Sequence, residues 1–241
     1  MRSASARVAL LCACGLLAAG AAAGAEGERW YVWSLRGKPS GYFHVSRGNS
    51  RVATAPIVLT HQFVVSYRGK RMSLTMKTLC KADGRFTPVR IESRGEGDDE
   101  LGTYEAKIDW GANGEGVLKT ELRGRKKELR LPKGTVTGFA LFEVVAGLPF
   151  RKGVVFEFHS LEASELNLKR DHTIAYLGTE TLDVRGKQAT LHKFEQKGRG
   201  ITPVHYWVDD QHRLVRVVMD ERKEFLLGSK ALAAEAIEQA K

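Results

Sequence analysis

Period-two alternation runs through most of the chain. Ile57, Leu59, His61, Phe63, Val65 and Tyr67 alternate with Val58, Thr60, Gln62, Val64 and Ser66, which puts the first set on one face of a strand. Met72, Leu74 and Met76 alternate with Ser73, Thr75 and Lys77, and Cys80 continues the apolar set. Tyr104, Ala106, Ile108 and Trp110 form a third such face, and Val204, Tyr206 and Val208 a fourth. Strands with one apolar and one polar face belong to an antiparallel sheet covered on one side. Between them lie turn sequences: Arg36-Gly37, Arg68-Gly69-Lys70, Lys81-Ala82-Asp83-Gly84, Gly111-Ala112-Asn113-Gly114 and Arg185-Gly186-Lys187. Glycine and asparagine supply the positive φ of tight hairpins, and turns at this spacing predict a β-meander.

Two segments depart from the alternation. Val136 to Ala146 spaces Phe139, Phe142, Val145 and Ala146 at helical intervals, with Thr135 or Thr137 as N-cap and Gly147 as stop. It predicts a short helix that covers the apolar face of the sheet. Ser229 to Lys241 is rich in Ala and Glu and predicts a helical or flexible, loosely docked tail. No linker divides residues 26–228, which are expected to form a single β-rich domain. A weak echo links Asp83 to Ile91 with Asp210 to Val217; each sets an acidic turn before a Val-Arg-containing strand, as expected of two similar hairpins.

Composition narrows the class. With 43% hydrophobic and 27% charged residues the chain is an ordinary globular protein, neither low-complexity nor polytopic. Residues 1–25 read as a signal peptide: a basic start, an apolar run from Val8 to Ala23, and an Ala23-Gly24-Ala25 cleavage site. The alternatives are an uncleaved anchor and a lipoprotein site at Cys14, which would leave only Val8 to Ala13 as apolar run. Cleavage near Ala25 predicts a periplasmic or secreted protein with one cysteine, Cys80, read as a buried, inert thiol.

The candidate chemistry is thin. Seven histidines match no metal-ligand spacing, so neither a metal nor a cofactor is expected. His205 and Asp209 lie about 13 Å apart at strand rise, too far for one ion. His61 is read as a satisfied core histidine, with a ligand-polarising residue as the alternative. No nucleophile elbow and no phosphate-binding glycine loop occur. Paired acids such as Asp98-Asp99-Glu100 and Asp209-Asp210 sit at turns. The expectation is therefore a non-enzyme. The formal charge of +10 concentrates in Arg123, Arg125, Lys126, Lys127 and Arg130, with a smaller group at Lys193, Lys197 and Arg199. Export makes nucleic acid an unsuitable partner. The basic hairpin either faces an anionic envelope surface or is a solvated face balanced by Glu121 and Glu128.

Several short motifs resemble known exported proteins. Tyr206-Trp207-Val208-Asp209 followed by Leu214-Val215-Arg216 is similar to a strand, Asp-turn, strand signature of the lipoprotein carriers LolA and LolB and of a large family of periplasmic proteins of unknown function. Trp33 to Tyr42, Leu148-Pro149-Phe150-Arg151-Lys152-Gly153 and Tyr176-Leu177-Gly178-Thr179-Glu180 resemble the latter family's start, middle connection and strand beginning. The resemblance implies an all-β fold: a strongly curved antiparallel meander, a half-barrel, with one helix against the concave face. In the carriers that concavity holds acyl chains. The expected function is thus a non-catalytic envelope binding protein for a lipid or other apolar small molecule. Its site would comprise Phe63, Trp110, Phe139, Phe142, Phe150 and Tyr206, with Phe139 and Phe142 as a lid. The alternative is a dry-core interaction module that docks through its basic rim. The sequence assigns no oligomeric state.

Overall fold

A computed structural model describes residues 27–48, 55–67, 70–97, 103–122, 124–162 and 164–240. The expected signal peptide lies outside the described residues. The first half of the chain forms eight strands: β1 (Glu28–Leu35), β2 (Lys38–Arg47), β3 (Ile57–Tyr67), β4 (Lys70–Cys80), β5 (Pro88–Glu96), β6 (Tyr104–Trp110), β7 (Gly116–Leu122) and β8 (Arg125–Leu131). The short strand β9 (Thr135–Thr137) follows, then a 3-10 turn (Gly138–Ala140) and the helix α1 (Leu141–Ala146). The second half supplies β10 (Val155–Glu162), β11 (Asn167–Val184), β12 (Lys187–Gly198), β13 (Val204–Val208), β14 (Leu214–Met219), β15 (Lys223–Gly228) and a final helix, α2 (Lys230–Glu238).

All strands join one sheet in the order β8-β7-β6-β5-β4-β3-β2-β1-β15-β14-β13-β12-β11-β10-β9, which curls into a nearly closed barrel. Each half of the chain is a meander, and the two meet where β1 pairs with β15. The pairings are antiparallel except that of β9 with β10. The barrel is thus more complete than the half-barrel expected. That parallel pairing brings the last strands round to face β5–β8, so the concave face closes on itself.

Alternation decides the two faces. Tyr31, Phe43, Phe158, Ile174, Phe194, Tyr206, Val217 and Phe225 turn inward and pack around Leu141, Phe142 and Val145 of α1. All six residues of α1 are buried. A second inner cluster, with Ile91, Ile108, Leu118, Leu131 and Leu161, fills the space between β4–β8 and β10. Cys80 is fully buried, and burial pushes its thiol up to about 12, as befits an inert thiol.

Two features dress the outside. α2 docks on β1 and β2, burying Ala233, Ala236 and Ile237, and Lys230 lies over the Trp30 ring. The tail is thus a helix seated on the sheet, where a helical or flexible, loosely docked tail was expected. The β11–β12 hairpin breaks register between Tyr176 and Gly178 and wraps outward. Its apolar residues Leu182, Val184 and Leu191 cover Trp207 and Val215, and Arg185 donates to the Leu227 carbonyl at its tip. Among the described residues no helix is long and apolar enough to cross a membrane.

Candidate functional site

Five of the six aromatic residues expected to line a concave site, Phe63, Phe139, Phe142, Phe150 and Tyr206, come together in one packed cluster rather than around an open space, and Trp110 lies elsewhere. Phe142 is 3% exposed and meets the rings of Tyr31, Phe43 and Phe225. Phe139 packs between Phe43 and His61, Phe63 stands edge-on to Trp33, and Tyr206 is buried. These four belong to the interior packing. Phe139 and Phe142 act as a plug in the barrel, a correction to the lid expected, because the helix carrying Phe142 fills the space a lid would cover. Phe150 lies at the end of α1, sandwiched between His192 at 3.6 Å and His212 at 4.4 Å. Trp110 stands apart from all of these, at the sheet's seam.

The basic residues occupy β8, an outer edge of the sheet. Arg125, Lys126, Lys127 and Arg130 are exposed, while Arg123 lies outside the described residues. Lys126 is registered opposite Glu121 and Lys119 opposite Glu128, so cross-strand pairing offsets part of the charge. Lys127 donates to the Glu165 carbonyl across the opening. A charged edge also resists the addition of a foreign strand.

The seam carries the open space. β9 pairs with β10 only from His159 to Leu161, so the first part of β10 has β11 on one side and no strand on the other. The β4–β5 loop takes that place, and Arg85 donates to the Glu157 carbonyl at 3.2 Å. Asp83 shapes this loop by accepting from the backbone N–H groups of Arg85 and Thr87. Phe86 follows with φ of 55°, a left-handed conformation uncommon for a bulky residue. The loop after β13 repeats the device. Asp209 accepts from the N–H groups of Gln211 and Arg213, His212 has φ of 58°, and His212 caps the Ala146 carbonyl at the end of α1. The echo noted in the sequence is thus two similar loops clamping the helix and β10.

Beside the first loop opens a groove of about 770 Å³. Trp110, half-buried, is its aromatic surface, with the buried Phe158 behind the wall; Lys81, Arg85 and Lys133 supply basic groups, and His159 and His172 border the β10–β11 side. Trp110 is fixed by donating its Nε1–H to the Pro88 carbonyl at 2.7 Å, and Lys81 lies over its ring. Sequence reasoning found Trp110 but missed the others. The alternation on β10 and β11 hints that Phe158 and His172 turn inward, but their meeting with Lys81 and Lys133 depends on how the sheet closes.

The interior also holds charge. Arg29 of β1 and Glu143 of α1 form an ion pair, both nearly fully buried. Burial lowers the Arg29 pKa. His61 stacks on Phe43, and neither of its ring nitrogens has a hydrogen-bond partner among the described residues. Burial, and next the Arg29 charge, lower its pKa to about 3, so it is neutral. A neutral imidazole surrounded by rings has the core position expected of it, but not the hydrogen-bond partners of a satisfied core histidine.

The family model described as "Protein of unknown function (DUF3108)" matches residues 34–233. No curated protein matches the chain. Among solved structures, a beta-barrel-like protein of domain of unknown function DUF1849 from Brucella abortus is similar. It is 13% identical, with a TM-score of 0.56 over 84% of this chain and 95% of that one. At that identity the likeness establishes the barrel alone. The match over most of the barrel decides the family: the chain belongs to DUF3108, a family of unknown function.

Proposed function

We propose that this chain is a non-catalytic, exported binding protein of the bacterial envelope that holds a small amphipathic ligand in the seam groove. One observation carries the reading: with the barrel interior plugged by α1, a groove of about 770 Å³ still opens at the seam, bordered by a fixed tryptophan and basic side chains. That volume lies in the range of small-molecule sites, roughly 300–1,000 Å³. The apolar body of the ligand would rest on Trp110. This retains the expected lipid-like ligand and moves it from the concave face to the seam.

Native mass spectrometry of the protein purified from a periplasm without detergent tests the reading. A discrete added mass is expected, removable by organic solvent and lost in Trp110→Ala with the fold intact. Retention of the same mass by Trp110→Ala would place the ligand elsewhere. A clean unliganded peak that stays clean after incubation with lipid extract would overturn the reading.

The exposed basic edge at β8 favours a second reading, docking to an anionic surface. On that reading the double variant Lys126→Glu, Arg130→Glu loses salt-sensitive binding to anionic vesicles, whereas Trp110→Ala does not.

A further inference from the structure

His172 is the buried polar residue on the groove wall, and its surroundings fix its chemistry. It lies on the inner face of β11, 2% exposed, opposite Gly198 of β12. A side chain on Gly198 would come within 2.8–2.9 Å of Cγ, Nδ1 and Cδ2 of the imidazole, so the ring rests directly on the glycine backbone. Behind it runs a chain of hydrogen bonds. The Tyr206 hydroxyl donates to Gln196 Oε1 at 2.5 Å, which leaves Gln196 Nε2 to donate to His172 Nδ1 at 3.0 Å. Nδ1 is therefore an acceptor. Burial, and next Lys169, lower the pKa of His172, which keeps the ring neutral with its single proton on Nε2. That Nε2–H has no partner among the described residues. A buried donor without an acceptor calls for an explanation, and here, unlike at His61, the residue borders a groove from which a ligand atom can complete the pairing.

The groove lining carries three basic side chains, Lys81, Arg85 and Lys133, beside three carboxylates, Asp83, Glu157 and Asp171. Phe158 lies 5.4 Å from the His172 ring, Phe156 is 5.7 Å beyond it, and the Arg85 guanidinium sits 4.8 Å over Phe156. Lys133 crosses the face of Gly114, and Lys81 covers Trp110. Of the carboxylates on the lining, Asp83 is committed to its own loop through two N–H groups. Glu157 and Asp171 alternate with the inward residues Phe158 and His172, stand on the outer face and are exposed.

We infer that the groove selects an amphiphile with an oxyanion head, a carboxylate or a phosphate, whose oxygen accepts from His172 Nε2–H while Arg85 and Lys133 offset its charge. This inference rests on the groove being the ligand site. A charge-assisted hydrogen bond to a preset donor discriminates more strongly than apolar contact with the chain of the ligand.

Three probes that share a tail separate the possibilities: dodecanoic acid, dodecyl phosphate and dodecanol, titrated below their aggregation concentrations and followed by calorimetry. At least one anionic probe is expected to bind about tenfold or more tightly than the alcohol. Preference for the acid identifies a carboxylate head, and preference for the phosphate a phosphate head. His172→Phe should abolish the preference while leaving dodecanol affinity within about twofold. Gly198→Ala, which displaces the imidazole without removing it, should do the same, and His172→Gln should restore part of the preference through its amide donor. Equal binding of all three probes by the wild type would overturn the inference and leave the amphiphile site standing. Failure of every probe to bind would overturn both. Nitrogen-15 shifts of the imidazole give a check that needs no ligand: the proton is expected on Nε2, and a proton on Nδ1 would overturn the assignment.

Discussion

Protonating His61 would put a second positive charge beside Arg29 in the interior of the barrel. The folded-state pKa of about 3 lies below the ordinary 6.5, so the unfolded chain binds a proton that the folded chain refuses. The stability linked to His61 is fully present above pH 6.5 and declines as pH falls toward 3, by about 1.4 kcal/mol per pH unit. His61→Leu should flatten the acid limb of a stability-versus-pH curve measured by urea unfolding between pH 4 and 7; an unchanged slope would mean that the imidazole charges in place. The Arg29–Glu143 pair behaves differently, because neither charge can reach water. Glu143→Ala leaves the guanidinium unpaired and should cost about 3–5 kcal/mol, read from the same unfolding curves. Residue positions were legible where alternation sufficed, as for Cys80 and His61. Roles were illegible where the partner lies far along the chain. Arg29 reads as a polar residue at a strand's start and Glu143 as a polar position on a short helix, and nothing local joins them. His172 is hidden in the same way, since its tautomer depends on Gln196 and Tyr206 from two other strands.

Among the elements, strands announce themselves by period two, and the turns between them by glycine. The helix α1 was legible in place but not in detail. Thr135 or Thr137 was expected to cap it, yet both lie in β9, because Thr135, Val136 and Thr137 pair with His159, Ser160 and Leu161. The helix starts at Leu141 with no side-chain cap and relies on burial of its whole surface. α2 shows the reverse. Ser229 caps it by accepting from the Leu232 N–H, and its small residues allow close approach to the sheet. The sequence shows an Ala-rich helix, but the receiving surface on β1 and β2 exists only once the strands pair. Ala236→Glu would bury an unpaired carboxylate at that contact. Hydrogen exchange of the α2 amides should then accelerate at least about tenfold while β13–β15 are unchanged. Equal protection in variant and wild type would mean that the helix is held by other contacts.

At the level of the whole molecule, the barrel has one continuous hydrogen-bonded side and one seam. β1, β2 and β15 are flanked on both sides by strands, whereas β8 and β9 end the sheet. Native-state hydrogen exchange should therefore be slowest in β1, β2 and β15 and fastest in β8 and β9. Uniform protection around the ring would show that the seam is held as firmly as the ladder. The overall class was readable because every strand carries its own periodicity. Closure was not, since it depends on the short parallel contact of β9 with β10 and on loops such as Lys81 to Thr87 filling the gap. The candidate groove lies at this closure, and for that reason only Trp110 of its lining was foreseen.

The pairing of β1 with β15 has a consequence for the order of events as the chain is made. Of the described strands, the one made first is completed by the one made last, so the ladder joining the two meanders cannot form until Lys223 to Gly228 are available. Until then Trp30 to Leu35 present an open edge rich in aromatic side chains, a surface that invites sticking to other chains. A chain stopped before β15 should pellet on centrifugation, and adding the missing strand back as a peptide should return it to the supernatant.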